Sequence, residues 1–138
     1  MSAEWTPESL FYRQVHPNWL VEGVPSSQAF GPTPKDQDKL SVDDASMVSA
    51  EGSWRYFAEK LGHQSAGTWA VSQSDVDSAG DLLIAASPIA GAEDPAMDNP
   101  AHCHIDFSNI SSKGQKKRRA QHLALKATAR GCLFHPVG

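Results

Sequence analysis

His102, His104 and Asp106 alternate along the run Ala101 to Phe107, and in a strand alternate side chains project to one face. Two imidazoles and a carboxylate on one face are a ligand set for Zn²⁺ or a similar ion. Three protein ligands with a fourth position open is the arrangement of a catalytic zinc site. His16 or His63 would bring a further ligand from elsewhere in the chain. The same alternation also serves a half-buried strand that holds no metal, with Cys103, Ile105 and Phe107 as its core face. Cys103 lies between the two histidines, but neighbouring strand residues face opposite ways, so neither imidazole is placed to activate the thiol.

The spacing His102-x-His104-x-Asp106 resembles the first part of the His-x-His-x-Asp-His signature of metallo-β-lactamase-type hydrolases, with Phe107 where that signature ends in histidine. The resemblance covers this strand alone and implies a metal-dependent hydrolase. A second, scattered set comprises Arg13, His16, Ser26, Ser27 and Glu51. It is similar in kind to the groups with which small ADP-ribosyltransferases hold NAD, and it implies an NAD-using transferase near Arg13. In their ordinary roles Arg13 is a strand-edge residue paired with an acid, and His16 ends a strand before Pro17. The sequence has no Gly-rich phosphate loop, dinucleotide fingerprint or Gly-x-Ser-x-Gly elbow.

The densest chemistry is cationic. Lys113, Lys116, Lys117, Arg118, Arg119, Lys126 and Arg130 fall within one helical pattern running from Lys113 to Arg130. All 16 acidic residues and five of the 12 Lys and Arg precede residue 113, so that part carries a formal −11 against +7 for residues 113–138. Cations crowd the N-terminal half of the helix, where the macrodipole opposes them by about 0.3–1 kcal/mol each near the terminus. They call for compensation by the chain's own acids, by solvent, or by an anionic partner. Ala120, Leu123, Ala124 and Ala127 make an apolar face through which the second half docks. The acidic body and the lack of aromatics among these cations favour an acidic protein over nucleic acid as that partner.

Around these residues the pattern gives an α+β fold. A length of 138 residues suits one domain, 1–138, and 40% hydrophobic with 20% charged residues is ordinary for a globular chain. No apolar run approaches a membrane span, and Met1 to Trp5 lack a signal-peptide layout, so the expected location is cytoplasmic, with Cys103 and Cys132 as free thiols. Strands are expected at Leu10–Val15, at Ser27–Phe30, around Leu40–Val42, at Gly67–Val71, at Asp81–Ala86 and in the histidine run. The second main helix is expected from Ala50 to Leu61, capped by Ser49 and Gly62, with Trp54, Phe57, Ala58 and Leu61 as a core stripe. Ser72 and Asp75 read as a capping box opening a short helix that stops near Gly80. Two proline-rich loops, Pro17–Pro34 and Pro88–Pro100, remain, the first a candidate lid. The sequence therefore points to a mixed or antiparallel sheet against two main helices. Its leading functional expectation is a non-catalytic accessory module that presents the basic helix to an acidic protein. The alternatives are a zinc-dependent hydrolase on the histidine strand and an NAD-using transferase.

Overall fold

In the computed structural model, which describes residues 5–32 and 37–136, the alternating runs become strands of one antiparallel sheet. In chain order these are β1 (Leu10–Gln14), β4 (Lys39–Asp44), β5 (Thr68–Ser72), β6 (Leu83–Ala86) and β7 (His102–Asp106), arranged β5-β1-β4-β7-β6. Register sets the faces. Phe11 lies opposite Val71 and Asp44, Val42 opposite Cys103, and Ile105 between Leu40 and Ile84. These residues share one face, and Phe11, Val71 and Ile105 are wholly buried there.

That face is covered by three helical pieces. The basic helix α3 spans Lys113–Arg130, as its periodicity predicts. The Ser112 hydroxyl accepts from the Gln115 N–H at its start, and Gly131, at φ 93°, ends it. Its buried residues are Ala120, Leu123, Ala124 and Ala127; three of the four are alanines, which lets the helix lie close to the sheet. Helix α2 (Gln73–Ala79) opens with the Ser72–Asp75 capping box and closes at Gly80, φ 92°. The third piece is a 3-10 turn at Ser27–Phe30, where the alternation suggested a strand. A strand needs a ladder partner, and here the Ala29 carbonyl instead accepts from Arg13 Nε at 2.7 Å. Just before it, β2 (Leu20–Val21) and β3 (Val24–Pro25) form a small hairpin around Glu22 and Gly23, both at positive φ.

The other face is polar and differently covered. Helix α1 runs only from Ala50 to Arg55, and the chain continues as a π turn, Tyr56–Lys60, closed by the Leu61 N–H on the Tyr56 carbonyl. The expected core stripe is overturned: Trp54, Phe57 and Ala58 are only half-buried and Leu61 is exposed. The floor beneath α1 explains this, because it is made of Gln14, Thr68 and Asp43 rather than aliphatics. The helix docks through buried Ser53, whose hydroxyl accepts from Gln14 Nε2 (3.0 Å) and donates to Asp43 (2.7 Å). Trp54 leans instead on Phe134 of the C-terminal segment, ring centroids 5.6 Å apart. That segment crosses the start of β5 so closely that a Cβ on Gly67 would stand 2.8 Å from the Phe134 carbonyl oxygen, so only glycine fits. Cys132 lies just before the Phe134 bridge to Thr68, beyond β5, whereas Cys103 lies in β7. Three strands separate them, and both thiols are free. No described helix is long and apolar enough to cross a membrane.

Candidate functional site

The seven cations of α3 divide into two groups. Lys116 pairs with Asp38 at 2.9 Å. Arg119 reaches Asp81 and the Gly80 carbonyl, and Arg130 reaches Asp75 at 2.8 Å and the Ala70 carbonyl. Among the described residues Lys113, Lys117, Arg118 and Lys126 pair with no acid, and all four are exposed. The chain's own acids thus neutralise the cations that face α2, the Gly80–Asp81 turn and the start of β4, and leave the outer ones.

Lys113, Lys116 and Lys117 line one wall of an open cleft of about 920 Å³. The opposite wall comes from the proline-rich excursion: Trp19, Ser27, Gln28, Gly31 and Pro32, with Arg13 between them and the sheet. Residues 33 and 34, the end of the Pro17–Pro34 loop expected to act as a lid, lie outside the described residues, as do residues 35 and 36. Arg13 anchors this wall, donating to the Ala29 carbonyl and to the Ser41 carbonyl (3.1 Å) while its guanidinium lies 5.4 Å from the Trp19 ring centroid. His16 packs on the other side of this corner, 5.7 Å from Trp19. Trp19 and Asp38 were not singled out as site residues in the sequence. The available signal for Trp19 was a large aromatic two residues after Pro17, in a segment with no helical or strand periodicity to bury it.

Arg13, His16 and Ser27 do meet at this corner, but Glu51 does not. It sits on α1, across the sheet, held by Arg55 at 2.8 Å. Ser26 is nearby, its hydroxyl buried without a partner among the described residues.

His102, His104 and Asp106 share the polar face, as alternation requires, but their side chains turn to different partners. His102 Nδ1 is 2.9 Å from the Ser87 carbonyl and 2.8 Å from its hydroxyl, and His104 Nδ1 is 3.1 Å from that same hydroxyl. Asp106 caps the following turn by accepting from the Ser108 N–H at 2.8 Å, and its interactions with the Ser108 hydroxyl and then that N–H hold its carboxyl below the usual range. Burial pushes the His104 imidazole below its usual pKa, with Lys39 adding to the effect. Among the described residues no group of three or more His, Cys, Asp or Glu is placed to hold a metal ion. Cys103 is buried on the other face of this strand, its thiol pushed up to about 12 by desolvation and the nearby Asp44 and Asp43. It is no nucleophile at neutral pH.

No known protein family matches the chain, and neither a curated protein nor a solved structure is detectably similar to it.

Proposed function

We propose that the protein is a binding module that takes an acidic protein segment into the cleft between α3 and the Trp19 wall. One observation carries this reading: the exposed lysines at the start of α3 and a half-buried tryptophan face the same open cleft, although about a hundred residues separate them in sequence. The start of α3 adds the positive end of its dipole to Lys113, Lys116 and Lys117. Lys113 and Lys117 are four residues apart, a rise of about 6 Å along the helix. Carboxylates two residues apart on an extended chain are spaced by about 6.6 Å, so an alternating acidic segment meets both lysines. Trp19 then offers an apolar contact for a side chain between the acids. The −11 carried by residues 1–112 repels a long polyanion, and one tryptophan makes a poor stacking platform, so an acidic peptide suits the cleft better than nucleic acid.

The test compares a fluorescein-labelled ten-residue polyglutamate with a labelled ten-nucleotide single strand, by anisotropy at low and high salt. Salt-sensitive peptide binding, weakened at least about tenfold by Lys113→Glu with Lys117→Glu, is the expected result. Equal peptide binding by wild type and double variant overturns it. Tighter binding of the oligonucleotide transfers the cleft to nucleic acid.

A further inference from the structure

The polar face of the sheet holds a second hollow, of about 300 Å³, which shares Arg13 and Ser41 with the lining of the lysine cleft. Its floor includes Tyr12, Ser41 and His102, and its wall is formed by Tyr56, Phe57 and Leu61 of the π turn and the residue after it. An aromatic wall over a few convergent polar groups is the usual make-up of a small-molecule site, and this volume is at the lower end for one. The turn is also a π turn, an irregularity that occurs disproportionately at functional sites.

The hydrogen bonds on the floor have a fixed direction. The Ser87 carbonyl can only accept, so the proton of the neutral His102 ring lies on Nδ1. His102 Nε2 is then the free base, and it lies 3.2 Å from Ser41 Oγ, whose hydroxyl donates to it. The Ser87 hydroxyl accepts from His102 Nδ1 and donates onward to His104 Nδ1. Nucleophile, base and orienting acceptor therefore stand in one line, the arrangement that activates a serine hydroxyl. Ser41 itself is exposed to solvent. Tyr12 makes no side-chain hydrogen bond among the described residues, and burial raises its phenol above the usual range, keeping it a donor.

We propose that this hollow is an acyl-transfer site, in which Ser41 attacks the carbonyl carbon of a small aromatic ester and His102 takes the hydroxyl proton. The Ser41 Oγ–C bond forms as the proton passes to His102 Nε2, and the Tyr12 hydroxyl donates to the carbonyl oxygen as it gains charge. Collapse breaks the bond to the phenol or alcohol, which leaves with the proton from His102. Water then gives a proton to the same nitrogen and attacks the acyl carbon, releasing the acid and restoring the Ser41 hydroxyl. Ser87 is a positioning residue that fixes the tautomer of His102.

The probes are p-nitrophenyl acetate and an alkyl fluorophosphonate, applied to the full chain and read by nitrophenolate release, intact mass and peptide mapping. Release that is lost in Ser41→Ala and slowed at least about 100-fold in His102→Gln is expected. The fluorophosphonate tests the unaltered protein and depends on no variant; its expected product is a single adduct on Ser41. Ester turnover undiminished in Ser41→Ala, acetylation confined to lysines, or a protein that stays unlabelled while a control serine esterase labels fully, each overturns the proposal.

Discussion

The two faces of the sheet are held by different physics. On one, Phe11, Val42, Val71 and Ile105 meet α2, α3 and the Ser27–Phe30 turn, and apolar burial dominates the packing, with Arg13 and Arg130 tying its margins. On the other, Gln14 contacts the hydroxyls of Ser53, Ser65 and Thr68, and Asp43 accepts from Ser53 and Asn99. Apolar packing needs only volume, so it extends across the whole sheet. A hydrogen-bonded network holds only where every partner is in place, so it stops at the edge of α1 and leaves Tyr12, Ser41, His102 and His104 outside it. The apolar face therefore fixes the fold, while the polar face has side chains left over for chemistry. The lysine cleft lies at the margin of the apolar face, where the proline-rich excursion no longer meets α3.

One strand tests this contrast, because β1 contributes to both faces. Phe11 is fully buried and packs edge-on against Trp5 at 5.0 Å, so Phe11→Ala is expected to cost about 3–5 kcal/mol in urea unfolding. Three residues on, Gln14→Ala leaves the Ser53 and Thr68 hydroxyls buried with one partner fewer, at an expected cost of about 2 kcal/mol. The difference is the informative quantity. Equal losses would make the polar face a second core, and a neutral Gln14→Ala would mean that water replaces the amide and α1 is only loosely held.

What was legible in the sequence follows the same division. Helix α3 is bounded by the residues its pattern names, because the spacing of Ala120, Leu123, Ala124 and Ala127 is a local signal, and the structure adds Ser112 and Gly131 as its caps. The Ser72–Asp75 box and the stop at Gly80 were legible for the same reason. The Trp54, Phe57 and Leu61 stripe misled, because helical periodicity reports that a helix has an apolar side, not that the surface beneath it is apolar. Local pattern also could not show that Arg13 of β1 ties the Trp19 corner opposite Lys113, or that Ser87 would reach both histidines. Those contacts depend on strand pairing, which sets β4 beside β1 and β6 beside β7. The histidines were found, but their partners Ser41 and Ser87 were not, since a serine carries no signal until its neighbour is known.

The smallest expected effect concerns the ion pair that joins the two helices of the apolar face. Burial raises the Asp75 pKa, but the Ser72 N–H and Arg130 outweigh it and hold the carboxyl below its ordinary value of 3.8. The unfolded chain therefore takes up this proton more readily than the folded one. The stability that Asp75 contributes is full above its unfolded pKa and is lost as pH falls through the folded one. In Asp75→Asn the acid limb of the stability profile should flatten below about pH 4, with a modest loss at pH 7 because Arg130 is partly exposed and keeps the Ala70 carbonyl. Urea midpoints taken between pH 7 and pH 3 measure this. An unchanged acid limb would mean that solvent screens the pair, leaving α2 joined to α3 by apolar contact, the Ser78–His122 hydrogen bond and Arg119 on the Gly80–Asp81 turn.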